Sequence, residues 1–176
     1  MSVAGIHLRE ATVEDMDALL ALERSIEDAP HWTEAAWRDV LASSGIGVGD
    51  EGMGIKRVVI LALRDGEAAG FVVLGLTAGV AEMESVAVAP AHRRTGVARA
   101  LCERGMGWAR GRGAEEIELE VRASNEAALR LYGSLGFEEQ ARRRGYYREP
   151  VEDAVLMRKR LGAGYDEASR ELDSGV

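Results

Sequence analysis

The segment that decides the fold, residues 81–101, reads AEMESVAVAPAHRRTGVARAL. An apolar run ends at Val88, which predicts a strand, and Pro90 marks a short turn after it. Gly96 then opens a helical pattern in which apolar residues recur at helical spacing. The segment therefore predicts a strand, a turn and the beginning of a helix.

The turn carries the signature R-x-x-G-x-A, from Arg93 to Ala98, at the predicted start of this helix. The first amides of a helix have no partner within the helix and lie at the positive end of its dipole, so together they favour a bound pyrophosphate. Gly96 and Ala98 keep bulky side chains away from phosphate oxygens. Because Arg93 and Arg94 add positive charge, we interpret the turn as a candidate phosphate-binding loop.

The length and charge of the chain indicate how many domains it forms and which classes of partner its charge disfavours. Its 176 residues are long enough for one domain with a substantial core. Residues 1–161 carry the regular patterns, whereas 162–176 is polar and acidic and is predicted to be a disordered tail. The sequence has 22 Lys and Arg against 30 Asp and Glu, a formal charge of −8. This charge argues against nucleic acid and anionic membranes as partners.

Targeting and metal-binding patterns are missing from the sequence. No window reaches the roughly 18 apolar residues of a membrane span, and the first residues lack the pattern of a secretion signal. We therefore expect a cytoplasmic protein without membrane contact. The single cysteine, Cys102, excludes an internal disulfide framework and is interpreted as a core residue, and three scattered histidines show no zinc-ligand spacing. We expect no metal.

Around residues 81–101 the sequence alternates between strand and helix patterns. The pair Asp65-Gly66 between two aliphatic runs is typical of a hairpin turn. Glycine-rich residues 45–54 predict a loop. The alternation predicts an α/β or α+β sheet that is covered by helices on both faces. Helices are predicted to begin near residues 12, 33, 96 and 125, and strands at 6–9, 58–63, 69–76, 81–88, 117–122, 137–147 and 154–161.

Two motifs, in this order, resemble the GNAT superfamily of N-acetyltransferases. The first is V-A-V-x-P-x-x-R-R-x-G-x-A from Val86, and the second is N-E-A-A-L-R-L-Y-G-S-L-G-F from Asn125. The resemblance covers about residues 6–161. It implies a mostly antiparallel central sheet of six to seven strands with about four helices, and it implies that the first motif binds acetyl-CoA. The contacts implied there are Val86, Ala87, Val88, Arg93, Arg94, Thr95, Gly96, Val97 and Ala98.

Within the superfamily, residues 118–137 and 142–157 resemble the bacterial RimI-type enzymes, which acetylate the N-terminal alanine of a small-subunit ribosomal protein. This resemblance implies that Glu120 is the general base and Tyr132 the general acid, with Asn125 near the arm of CoA. A small-molecule amine or a lysine side chain is the alternative acceptor. A non-catalytic acyl-CoA-binding module is the alternative of another class.

Acyl transfer from a thioester to an amine needs a neutral amine, a proton acceptor, donors for the oxyanion and an acid for the leaving thiolate. At pH 7, neutralising an N-terminal amine costs about 1 kcal/mol, whereas neutralising a lysine costs about 4.6 kcal/mol. A carboxylate that acts through water therefore suffices more easily for an N-terminal amine. The resemblance implies that backbone N–H groups of the 86–88 strand are the oxyanion donors.

Each candidate side chain also has a structural interpretation. Glu120 alternates with Glu118 and Arg122, which is typical of a solvated strand face. Glu82, ahead of the cofactor strand, is the alternative base. Tyr132 would serve equally as a core tyrosine with a satisfied hydroxyl.

Three aromatic residues are candidates for contacting the acceptor: Trp32, Tyr146 and Tyr147. Simple packing explains each of them equally well. The adjacent arginines 142–144 are interpreted as a solvated face, or as a group that recognises an acidic partner or steers CoA.

Overall fold

The computed structural model describes residues 2–3, 5–26, 32–43 and 56–162. The glycine-rich 45–54 segment and the tail beyond residue 162 lie outside the described residues, so their predicted loop and disorder stay predictions. In the described ranges, no helix has the length and apolar character needed to cross a bilayer.

The described residues form eight strands and four helices, close to the predicted elements. The bounds are β1 Ser2–Val3, β2 Ile6–Glu10, α1 Met16–Arg24, α2 Glu34–Ser43, β3 Lys56–Arg64, β4 Glu67–Thr77, β5 Val80–Val88, α3 Val97–Arg110, β6 Glu116–Arg122, α4 Glu126–Ser134, β7 Glu138–Arg148 and β8 Val151–Arg160. The seven longer strands match the predicted number, and the two-residue β1 is added to them.

All eight strands belong to one mixed sheet in the order β1-β2-β3-β4-β5-β6-β8-β7. Only the β5–β6 pair is parallel among the described strands, and every other neighbouring pair is antiparallel. The predicted mostly antiparallel sheet is confirmed. The hairpin at Asp65-Gly66 is also confirmed, because both residues have the positive φ, 52° and 85°, that a two-residue turn requires.

Helices cover both faces of the sheet, as predicted. One face packs against α3 and α4 in a core that includes Leu74, Leu101 and Ile117. The other face packs against α1 and α2 in a second core that includes Trp37 and Phe71. We call these the α3/α4 face and the α1/α2 face.

Two glycines let α3 lie close to the sheet. A Cβ at Gly105 would lie 3.0 Å from both Cδ atoms of Leu74, so α3 packs directly on β4. A Cβ at Gly70 would lie 2.7 Å from the carbonyl oxygen of Ala87 and 3.1 Å from Val97. A side chain at Gly105 would therefore push α3 away from β4, and one at Gly70 would push β4 away from β5 and from the start of α3.

The sheet opens between its two parallel strands. Val80 to Glu82 pair with Glu116 to Glu118, and no further ladder joins β5 to β6 in the described structure. A register shift on β5 leaves Glu84 between the residues paired with Leu74 and Val73. Beyond these three pairs, the inner edge of each strand therefore borders an opening through the sheet.

Candidate active site

The loop between β5 and α3 presents free backbone amides to one side of this opening. Arg94 and Gly96 both have positive φ, 62° and 89°, and Gly96 caps α3. No acceptor in the described residues receives the amide hydrogens from Arg94 to Ala98, whereas the amide of Ala100 bonds to Gly96. A phosphate-binding loop needs free amides of this kind, and the binding itself stays a prediction.

The space in front of this loop is open. A Cβ at Gly96 would meet no atom within 4 Å, so only the positive φ excludes a side chain there. Arg93 and Arg94 are exposed and form no ion pair with another described residue. Free amides and two free guanidinium groups fit the pyrophosphate of an acyl-CoA.

Strand β5 contributes its backbone to the same site. Val86 and Ala87 pair with β4 along one edge, while their other edge borders the opening. The expected oxyanion donors on this strand therefore have an edge that no described strand occupies.

Tyr132 lies on the α3/α4 face, with only 8% of its surface exposed. Its ring packs edge-on against Phe137 at 5.8 Å between centroids. Burial raises the pKa of its phenol well above the ordinary value, and the nearby thiol of Cys102 adds to this. The hydroxyl therefore stays protonated at neutral pH.

Asn125 caps the helix that carries Tyr132. Its side-chain oxygen accepts the amide hydrogen of Ala128 at 3.1 Å, which confirms the predicted N-cap. One lone pair of this oxygen is thus engaged, which leaves its second lone pair and the side-chain NH₂ available to a cofactor.

A cavity of about 400 Å³ opens on the other face of the sheet, next to the opening. It brings together three of the predicted residues, Glu82, Glu120 and Tyr146. Its remaining lining residues are Glu118, Leu119, Arg143, Leu156 and Arg158. Although carboxylates dominate it, no group of three or more described His, Cys, Asp or Glu residues is arranged to hold a metal ion. We call this cavity the carboxylate cleft.

Glu120 forms an ion pair that the sequence did not predict. Its Oε1 lies 2.6 Å from Nη1 of Arg143, which reaches across from edge strand β7. The guanidinium also lies 5.5 Å from the ring centroid of Tyr146. A register irregularity between Arg143 and Tyr147 bends this part of β7, so Arg143 and Tyr146 both line the cleft. The three adjacent arginines are visible in the sequence, but nothing there distinguishes Arg143 from its neighbours.

Glu82 lies directly opposite Glu118 in the last β5–β6 pairs. It forms no ion pair within the described residues, although it is exposed at the rim of the cleft. Partial burial of the carboxyl group raises its pKa, and repulsion from Glu84, Glu118 and Glu120 raises it further. Of the two candidate bases, Glu82 is thus the one without a paired cation.

The other carboxylates near the cleft have fixed partners. Arg158 donates to Glu116 at 3.1 Å and to Glu118 at 3.0 Å. Arg57 donates to Glu84 at 2.9 Å. These pairs hold the acidic side chains in place along β5 and β6.

The structure does not bring every predicted residue into the cleft. Tyr132 belongs to the α3/α4 face, across the sheet from Glu120, and the opening between β5 and β6 is the direct route between them. Tyr147 does not line the cleft, and its ring packs under the guanidinium of Arg122 at 4.0 Å.

Trp32 also lies away from the cleft. Its ring packs against Trp37 at 5.3 Å within the α1/α2 core. Its amide donates to one carboxylate oxygen of the buried Glu23 at 2.9 Å, while the Trp37 indole donates to the other at 3.0 Å. The described contacts of Trp32 are therefore packing contacts, and its predicted contact with the acceptor stays a prediction.

The split parallel pair, the loop before α3 and the flanking helices together define an acyltransferase fold, and sequence comparison agrees. Residues 16–137 match the acetyltransferase (GNAT) family, and the chain belongs to this family. It is similar to the [ribosomal protein bS18]-alanine N-acetyltransferase of Escherichia coli K12, with 41% identity over 96 residues. That match covers 53% of this chain and 65% of the relative.

One further relative and one solved structure agree with this similarity. The N-alpha-acetyltransferase RimI of Mycobacterium tuberculosis is 41% identical over 81 residues, which cover 46% of this chain and 49% of that protein. The crystal structure of the ribosomal-protein-S18-alanine N-acetyltransferase from Escherichia coli superposes with a TM-score of 0.76 and 28% identity. This superposition covers 92% of this chain and 97% of that one.

Proposed function

We propose that the protein transfers an acetyl group from acetyl-CoA to the N-terminal amine of a protein. One observation carries the proposal: the opening between β5 and β6 has a phosphate-binding loop on one face and a carboxylate cleft on the other. Donor and acceptor would thus approach from opposite faces. Acetyl-CoA supplies a thioester, and direct transfer within one complex needs no acyl-enzyme.

The loop before α3 holds the donor in this proposal. Amides from Arg94 to Ala98 would bind the pyrophosphate, and Arg93 and Arg94 would neutralise its charge. The free edge of β5 at Val86 to Val88 would supply amides for the oxyanion. Tyr132 is the proposed proton donor to the leaving sulfur, on the basis of the family motif that carries it, and its buried phenol is protonated at neutral pH.

Glu120 is the proposed base on the acceptor side. It is the first cleft-facing residue of β6 beyond the last β5–β6 pair, so it borders the opening. The amine would lose its proton to Glu120, directly or through water, as its nitrogen bonds to the acetyl carbon. Glu82 is the alternative base, supported by its unpaired carboxylate and its raised pKa. An N-terminal amine suits either, since neutralising it costs only about 1 kcal/mol at pH 7.

Similarity to ribosomal-protein alanine N-acetyltransferases makes a ribosomal-protein N-terminus the preferred acceptor. Tyr146, which lines the cleft, is the described aromatic residue best placed to contact a peptide. A small polyamine is the second candidate, because the cleft carries more carboxylates than one ammonium group requires. The predicted cytoplasmic location stays a prediction.

Acetyl-CoA turnover with a panel of amines tests the proposal. The panel contains peptides with free N-termini, the same peptides with acetylated N-termini, a peptide whose one amine is a lysine side chain, and spermidine. We expect turnover with the free N-terminal peptides only. Turnover confined to spermidine or to lysine would replace the acceptor class, and acetyl-CoA binding without any turnover would favour the non-catalytic acyl-CoA-binding module.

A further inference from the structure

Two cationic side chains line the carboxylate cleft, and they are held differently. Arg158 donates to both Glu116 and Glu118, and its Nε is buried without a hydrogen-bond partner. Arg143 has a single ion pair within the described residues, the one with Glu120, and its side chain is 55% exposed. Arg158 is therefore held by two carboxylates, whereas Arg143 can leave by breaking one ion pair and its contact with the Tyr146 ring.

The position of Arg143 on β7 leaves it a path to solvent. β7 is the edge strand of the sheet, and almost all of its residues are exposed. The register irregularity begins directly after the pair between Arg143 and Ala154. The side chain thus extends from an exposed edge strand over the cleft.

The charges of the cleft define what can take the place of Arg143. Glu82, Glu118 and Glu120 face Arg143 and Arg158, which leaves one net negative charge. When Arg143 swings out, the cleft carries two, and the short contact of Glu120 is lost. An acceptor with one ammonium group brings the cleft back to one net negative charge and gives Glu120 a new cationic partner. A neutral or anionic group does neither.

We propose that Arg143 is a displaceable gate, which holds Glu120 while the cleft is empty and is displaced when an acceptor arrives as a cation. This inference rests on the proposed function, since it concerns the acceptor site of that reaction. The incoming ammonium group replaces the guanidinium on Glu120 and is thereby positioned to lose its proton there. Arg143 touches the base and not the reacting atoms.

Equilibrium binding tests the gate without turnover. Two alanine-initiated pentapeptides that differ only in a free or acetylated N-terminus are titrated calorimetrically into wild-type protein and the Arg143→Ala variant. The free peptide should bind about fivefold more tightly to the variant, the most that a half-exposed ion pair usually contributes. Affinity for the acetylated peptide should not change. Arg143→Lys should restore wild-type affinity, because it restores the competing cation.

Arg142→Ala is the matched control. Arg142 pairs with Glu139 on β7 at 2.7 Å and does not line the cleft, so its removal should leave both affinities unchanged. A merely structural role for Arg143 predicts a different pattern, with a lower melting temperature and equal loss of affinity for both peptides. In steady-state acetylation assays, the gate predicts that Arg143→Ala lowers the KM for the amine by the same factor as it lowers the dissociation constant of the free peptide.

Three results would overturn the gate: unchanged affinity of Arg143→Ala for the free peptide, weaker binding of that peptide, or equal gains for both peptides. Failure of the proposed function gives a distinct result. In that case wild-type protein turns over no amine with acetyl-CoA, while the difference between free and acetylated peptides still responds to Arg143.

Discussion

The two faces of the sheet are built differently around one opening. The α3/α4 face offers the amides of one continuous segment, Arg94 to Ala98, beside the buried Tyr132. The opposite face offers ionised side chains from four strands, β5, β6, β7 and β8, in the carboxylate cleft. The geometry of the α3/α4 face depends on backbone and tight packing, which few substitutions can change. The geometry of the carboxylate cleft depends on ion pairs between side chains, so substitutions there can change the acceptor while the donor site stays the same.

The largest expected effect separates chemistry on the α3/α4 face from binding in the cleft. Tyr132→Phe should lower kcat about a thousandfold, because general acid catalysis commonly contributes 10²–10⁴-fold. The KM for the acceptor should change little, since Tyr132 does not line the cleft. Steady-state kinetics measure both. Wild-type kcat in the variant would assign the acid to another group.

The pH dependence of the same residue has a defined direction. Burial raises the pKa of Tyr132 above its ordinary value of 10.0. The phenol therefore stays protonated through pH 10, and its ionisation should not limit kcat below that pH. Thermal unfolding is the control for Tyr132→Phe, because the ring keeps its contact with Phe137.

The second effect tests the cleft side. Glu120→Gln should lower kcat at pH 7 about a hundredfold, at the low end of general base catalysis, because an N-terminal amine is already partly neutral. The loss should shrink above pH 8, where the amine needs no base. Measurement of kcat from pH 6 to 9 checks this. If Glu120→Gln is unimpaired and Glu82→Gln is slow, the base is Glu82.

The contrast between the faces also explains what the sequence could predict. The candidate phosphate-binding loop and the helix start at Asn125 depend on local pattern. The structure has free amides and a side-chain cap at these positions, while phosphate binding stays a prediction. The fold followed from the alternation of elements and from two contiguous motifs. The catalytic roles of Glu120 and Tyr132 stay predictions.

The cleft was not predictable in the same way. The alternation along β6 indicates that Glu120 lies opposite the buried face of its strand, but not what faces it. Arg143 reaches Glu120 because β7 lies at the sheet edge beyond β8 and is irregular there. Strand order and local bends of this kind are set by tertiary packing, which a pattern of residues does not encode.

The third effect tests the rigidity of the α3/α4 face. Gly70→Ala should destabilise the protein by about 2 kcal/mol, because its Cβ would lie 2.7 Å from a backbone oxygen of β5. The melting temperature should fall by roughly 4–8 °C. Gly107→Ala on α3 is the matched control, since its Cβ meets nothing within 4 Å. Its helix propensity should make that variant up to about 1 kcal/mol more stable. Equal melting temperatures for the two variants would contradict the close packing.

The smallest effect tests the repulsion on the cleft side. The folded state raises the pKa of Glu82, so it binds a proton more readily than the unfolded chain, and stability falls as pH rises above the ordinary value of 4.5. Glu82→Gln should therefore stabilise the protein at pH 7 by about 0.5 kcal/mol, the scale of a like-charged cross-strand pair near solvent. Most of the gain should be lost near pH 4, where the carboxyl is mostly protonated in both states. Chemical denaturation at the two pH values measures it, with the exposed Glu138→Gln on β7 as control. If the full gain persists at pH 4, the substitution stabilises the protein through packing, and charge repulsion at Glu82 is not its cause.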